Sequence, residues 1–114
     1  MQVQYLEIVT PAVDALCAQY AAAHSVTFSS PDAALGGART ARLGDGALLG
    51  IRAPLREDEA PVVRPYMLVD DLEAAVAAAQ EAGATLALPP MELAGHGRCA
   101  IVIQGGIDCG FWQH

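Results

Sequence analysis

The chain has 114 residues, a formal net charge of −7 and six basic residues, all arginine and scattered along the sequence. That length suits one domain with a real core and is too short for two independent ones, and a hydrophobic content of 54% argues against disorder. The charge balance would repel a nucleic-acid backbone, no apolar run is long enough to span a bilayer, and the first residues lack the basic and apolar regions of a signal peptide, so a cytoplasmic chain without nucleic-acid or membrane partners is expected.

From the N-terminus, residues 3–9 alternate with a period of two and predict a strand, Val3, Tyr5, Glu7 and Val9 on one face and Gln4, Leu6 and Ile8 on the other. Thr10-Pro11 reads as an N-cap with proline at the first helical position. Val13, Leu16, Cys17, Tyr20 and His24 then fall at helical spacing. Residues 26–29 are short and β-prone, 30–37 form a polar, glycine-rich loop, 39–43 alternate, Gly44-Asp45-Gly46 is a tight turn, and 47–53 is another strand. Residues 54–62, PLREDEAPV, are charged, flanked by proline and without periodicity, as a linker would be.

The same series then begins again. Residues 64–69 alternate as a strand, and Asp70 with Glu73 three residues later reads as a capping box. Leu72, Ala75, Val76 and Ala79 form a small-residue packing face opposite Glu73, Gln80 and Glu81, and Gly83 ends the helix. Residues 85–88 resume an extended pattern before Pro89-Pro90, 91–96 form a loop, and 100–103 and the GGIDCGFWQ segment supply the closing strands. At an offset of about sixty residues Gly37 meets Gly97, TARL meets AIVI, Gly46 meets Gly106 and Gly50 meets Gly110. The expectation is an α+β fold of two βαβββ modules, residues 1–54 and 63–114, joined by a linker over 55–62.

Paired modules of this kind, with YLEIVTPAVDAL at the start, YMLVDDLEAAVAAAQEAGA in the middle and GGIDCGFWQ at the end, resemble the vicinal oxygen chelate superfamily, which includes glyoxalase I, extradiol dioxygenases, and fosfomycin and bleomycin resistance proteins. The resemblance implies an open curled sheet, or cup, with the helices outside, a small-molecule ligand inside, and a homodimer. Metal-dependent members place His, Gln or Glu on the first and last strand of each module. Carried over by position, those sites are Tyr5, Gly50, Arg64 and Gly110, none of which is a usual ligand of a divalent ion, so no metal and no other cofactor is expected.

If Tyr5 faces the cup, alternation adds Glu7, Val9, Leu48, Arg52, Tyr66, Leu68, Asp108 and Trp112. Apolar walls, aromatic rings and opposite charges make Tyr5, Glu7, Leu48, Arg52, Arg64, Tyr66, Asp108 and Trp112 candidate ligand-binding residues. Glu7 is also a candidate general base, against the plainer reading of a buried carboxylate paired with Arg52 or Arg64. Arg64 suits an anionic substrate or, without one, Glu7 or Asp108. His96, between two glycines, is a solvated loop residue or an acid or base at the cup's lid. Cys17, Cys99 and Cys109 lack metal-ligand spacing and read as reduced structural thiols. The leading reading is metal-independent binding of a small aromatic or amphipathic molecule, as in bleomycin resistance proteins. The alternatives are an isomerase or lyase using a pocket carboxylate, and an assembly module whose cup is filled by side chains.

Overall fold

The computed structural model describes residues 1–114. Seven strands and two helices follow in the order β1 (Val3–Val9), α1 (Val13–His24), β2 (Arg39–Arg42), β3 (Leu48–Arg52), β4 (Val62–Leu68), α2 (Leu72–Glu81), β5 (Thr85–Leu93), β6 (Gly97–Gln104) and β7 (Ile107–Gln113), with one 3-10 turn at Ala33–Leu35. Within each compact unit the strands form a mixed sheet with a helix beside it, so the fold class is α+β as the alternation and helical spacing predict. No helix is long and apolar enough to cross a membrane. The chain divides into two compact units, Tyr5–Val63 and Met1–Gln4 with Arg64–His114.

In the Tyr5–Val63 unit β3 is central, parallel to β1 and antiparallel to β2. Ile8, Cys17, Leu49 and Ile51 are buried together between this sheet and α1, with Leu6, Val13, Leu16, Tyr20 and Phe28 packed around them. Burying each large aliphatic side chain contributes roughly 1.5–3 kcal/mol, so this stripe fixes the face that α1 covers. Two local expectations are corrected. The N-cap of α1 is Ala12, without a side-chain cap, because Thr10 Oγ1 accepts from Ala12 N–H at 3.1 Å before the helix starts; Pro11 therefore stands outside the first turn. Residues 26–29 form no strand. Ser29 N–H donates to Thr40 O at 2.7 Å, but Thr40 N–H goes to the Ser29 hydroxyl at 2.9 Å, so a side chain takes the bond that a neighbouring strand would have made. This unit thus carries three strands where the repeat predicts four.

In the other unit β4 and β7 run parallel, β7–β6 and β6–β5 antiparallel, and the chain start lies along β4, with Leu68 N–H donating to Gln2 O at 2.8 Å. The packing face predicted for α2 is the buried one: Leu72, Val76 and Ala79 turn inward, and Ala100, Leu86 and Phe111 meet them. The cap shifts by one residue. Asp71, not Asp70, accepts from Ala74 N–H at 3.0 Å, Gln113 Oε1 takes the Leu72 N–H at 2.7 Å, and Glu73 reaches out to Arg98 instead of closing a capping box. Gly83, at φ +105°, does end the helix. Pro89-Pro90 does not close β5, which continues to Leu93 through register shifts between Leu86 and Met91. Prolines are tolerated there because β5 is the last strand of the sheet, and an edge strand has no ladder bond to lose on its outer side.

Candidate functional site

Within each unit the helix takes one sheet face, and alternation sends every sequence-predicted site residue to the other. In the Tyr5–Val63 unit that face carries Tyr5, Glu7 and Val9 of β1 beside Leu48, Gly50 and Arg52 of β3, in register as Tyr5 with Leu48, Glu7 with Gly50 and Val9 with Arg52. Tyr5, Glu7, Leu48 and Arg52 are all buried. Arg52 Nε donates to Glu7 Oε2 at 2.9 Å, so Arg52 is a partner of this carboxylate.

The rest of the Arg52 fork is held by a residue that the sequence did not single out. Nη1 and Nη2 donate to Glu59 Oε1 and Oε2 at 2.9 and 2.8 Å, and Leu55 N–H donates to Glu59 Oε1 at 2.7 Å. Residues 54–62 are therefore no passive linker: their glutamate is turned back and clamped on the strand. A signal was present, because a strand-end arginine that shares a face with one carboxylate leaves guanidinium donors that a nearby acidic run can satisfy. The hydrogen bonds from Glu59, then those from Glu7, raise the Arg52 pKa above its ordinary value against the opposing effect of burial. The Arg52 hydrogen bonds hold the Glu59 carboxyl at about 2, below its ordinary 4.5, again against burial.

A carboxyl with a depressed folded-state pKa stabilises the fold fully above its unfolded pKa and loses that contribution as pH falls toward the folded one. Glu59 therefore gives up at most about 3 kcal/mol between roughly pH 4.5 and pH 2. Denaturant unfolding at a series of pH values should show this decline, and Glu59→Gln should be less stable at neutral pH with a shallower acid limb. An acid limb as steep in Glu59→Gln as in the parent chain would remove the clamp as its source.

In the other unit the face away from α2 carries Arg64, Tyr66 and Leu68 of β4 beside Asp108, Gly110 and Trp112 of β7, with Tyr66 opposite Gly110 and Leu68 opposite Trp112. Arg64 Nε and Nη2 both donate to Asp108 Oδ2, at 3.0 and 2.8 Å, so Asp108 is a partner of Arg64. The Arg64 side chain is 10% exposed and that of Asp108 35%, so the pair meets solvent through its carboxylate. Tyr66 and Trp112 meet edge to face with centroids 6.1 Å apart, and His96 approaches Trp112 at 6.2 Å. His96 is thus half-buried against an aromatic ring and not a solvated loop residue; Gly97, at φ +113°, allows this, since a Cβ there would fall on Gln113 O. Cys109 lies opposite Val102 toward the helix side, and burial raises its thiol pKa, as it does for Cys17. Neither has the environment of a nucleophile.

The residues at the four positions where the resemblance would place metal ligands, Tyr5, Gly50, Arg64 and Gly110, do not fit a divalent ion. In one unit the Tyr5 phenol lies over Gly50, so that a Cβ on Gly50 would overlap Tyr5 Oη. In the other the Tyr66 ring lies over Gly110 in the same way. Each unit has therefore filled the space above its last-strand glycine with a first-strand tyrosine, and what remains is a guanidinium. No donor set for a hard or borderline cation is left.

No family model matches the chain, and no curated protein sequence matches it. Solved structures do. A hypothetical protein from Bacillus halodurans C-125 is 14% identical with a TM-score of 0.77, over 99% of this chain and 94% of that one. Methylmalonyl-CoA epimerase from Mycobacterium tuberculosis is 18% identical with a TM-score of 0.74, over 97% and 86%. A glutamine variant of the Streptomyces coelicolor methylmalonyl-CoA epimerase, in complex with 2-nitronate-propionyl-CoA, is 17% identical with a TM-score of 0.70, over 99% and 96%.

Proposed function

From the premise that this chain has the vicinal oxygen chelate fold, we propose that it binds a small aromatic or amphipathic organic molecule carrying a carboxylate or carbonyl group, without a divalent metal. The observation that carries this reading is the Arg64–Asp108 pair beside Tyr66 and Trp112: a buried guanidinium hydrogen-bonded to a carboxylate that is 35% exposed, next to two aromatic rings on the sheet face away from α2. Arg64 is the polar anchor, Trp112 and Tyr66 are the apolar platform, and Asp108 holds the anchor in place until a ligand acceptor shares it. The chain has a single tryptophan, so its fluorescence reports on this surface directly.

Titration with 2-naphthoate should change Trp112 fluorescence saturably. Arg64→Met should weaken binding by roughly ten- to hundredfold, since charge-assisted hydrogen bonds contribute about 1.5–3 kcal/mol. Undiminished affinity in Arg64→Met would remove the anchor, and a requirement for added zinc, nickel, manganese or iron would remove the metal-free reading. The working form is a homodimer, supported by a sheet whose end strands β2 and β5 offer edges that association can cover; light scattering at micromolar concentration reads it.

A second reading, proton transfer next to a carbonyl as in an isomerase, is favoured by the epimerases among the similar structures. Glu7 is buried and tied to Arg52, whereas Asp108 is accessible, so Asp108 is the better base of the two. Solvent deuterium incorporated into methylmalonyl-CoA and lost in Asp108→Asn would support this reading; no incorporation by the parent chain would end it.

A further inference from the structure

The two faces of the Tyr5–Val63 unit differ in one respect that the reading above does not use. On the helix side, away from Glu7 and Arg52, a cleft of about 300 Å³ lies between α1 and the segment before β2, bordered by Cys17, Ala18, Ala21, Val26, Phe28 and Arg39. That volume is at the lower end of the range for small-molecule pockets. Its origin is local. Asp14, Cys17, Ala18 and Ala21 form one stripe of α1 at i, i+3, i+4 and i+7, and the alanines leave space that larger residues would fill. Residues 26–28, which do not join the sheet, pass this stripe as an irregular wall.

One end of the cleft is charged and fixed. Arg39 Nε donates to Ser29 O at 3.1 Å and Nη1 to Asp14 Oδ1 at 3.0 Å, so two bonds orient the guanidinium while Nη2 belongs to neither. The Arg39 side chain is 28% exposed and that of Asp14 is 90% exposed, so Arg39 is the sheltered partner and Asp14 the one free to swing into water. Burial keeps the neighbouring Cys17 thiol neutral, since its pKa is raised, and the chain elsewhere is strongly acidic. The local cation is therefore the feature that selects a ligand's charge.

We propose that this cleft is a second binding site, for a small apolar monocarboxylate whose carboxylate meets Arg39 and whose hydrocarbon lies against Ala18, Ala21, Val26 and Phe28. Benzoate is the probe, read by amide shifts of the full ¹⁵N-labelled chain. A ligand of that size is expected to bind with a Kd on the order of 1 mM, with shifts concentrated in residues 14–21, 26–28 and 39. Arg39→Met should weaken it by roughly ten- to hundredfold. Asp14→Asn, which removes a competing carboxylate, should tighten it by about two- to fivefold. Ala21→Leu fills the cleft without touching Arg39 and should abolish the shifts; Ala18→Leu serves if Ala21→Leu loses the parent amide spectrum. Benzyl alcohol, with the ring and no carboxylate, should bind more weakly than benzoate. The proposal is overturned if the parent chain shows no benzoate shifts in these residues, if a folded cleft-filling variant binds as well as the parent, or if benzyl alcohol equals benzoate.

Discussion

Arg52→Met should cost about 3–5 kcal/mol of folding stability, the range expected when one partner is removed from a buried, hydrogen-bonded charge cluster. The substitution keeps the length of the apolar stem and removes the guanidinium that hydrogen-bonds both Glu7 and Glu59, at side-chain exposures of 7% for Arg52, 7% for Glu7 and 12% for Glu59. Two sheltered carboxylates would then lose their shared cation. For a domain of this size such a loss lowers the melting temperature by roughly 10 °C or more. Adding Glu7→Gln and Glu59→Gln to Arg52→Met should recover part of the loss, because neutral amides leave no uncompensated charge to bury. Strictly additive effects among the three positions would show that the cluster does not act as a unit.

Gly110→Ala is expected to be more damaging than the corresponding Gly50→Ala. At Gly110 a Cβ overlaps Tyr66 Cγ and Cδ2, and Tyr66 is the directly paired residue of the neighbouring parallel strand, so its ring cannot withdraw without moving the ladder. At Gly50 the nearest atom is Tyr5 Oη, the far end of a ring that can tilt about its own side-chain torsions. Overpacking costs typically about 1–3 kcal/mol where the core can give and more where it cannot, which puts Gly50→Ala inside that range and Gly110→Ala above it. In the Gly110→Ala background, Tyr66→Ala should be much less harmful than in the parent chain. Urea unfolding of the four chains measures this, and equal costs for the two glycines would refute the distinction between a ring's root and its tip.

Both results bear on function. Tyr5 over Gly50 and Tyr66 over Gly110 are the same packing arrangement, found once in each unit, with an aromatic ring filling the space above a glycine. The chemistry left to this chain is that of guanidinium, carboxylate and ring. The proposed ligand is assigned to Arg64 and Trp112 on that ground.

Much of this was determined by the sequence alone. The period-two alternation of residues 3–9 and 64–69, the helical stripes from Val13 and Leu72, and the approximate sixty-residue repeat depend on local geometry that each segment carries with it, so fold class, helix faces and the sharing of a face by Tyr5 with Glu7 or Arg64 with Tyr66 could be read directly. The bonds from Arg52 to Glu7 and from Arg64 to Asp108 could not, because alternation places several charges on one face and only the folded sheet says which come within hydrogen-bonding distance. Three further features were decided by tertiary structure. Residues 26–29 lost their strand to a serine hydroxyl, and the helix cap moved from Asp70 to Asp71 because Gln113, 41 residues away in sequence, takes the Leu72 N–H. Glu59 was drawn out of a solvated acidic run by a buried guanidinium whose donors nothing on its own strand could satisfy. In each case the reason is the same: a polar group takes the partner that folding brings within reach, and the periodicity of its own segment does not record which one that is.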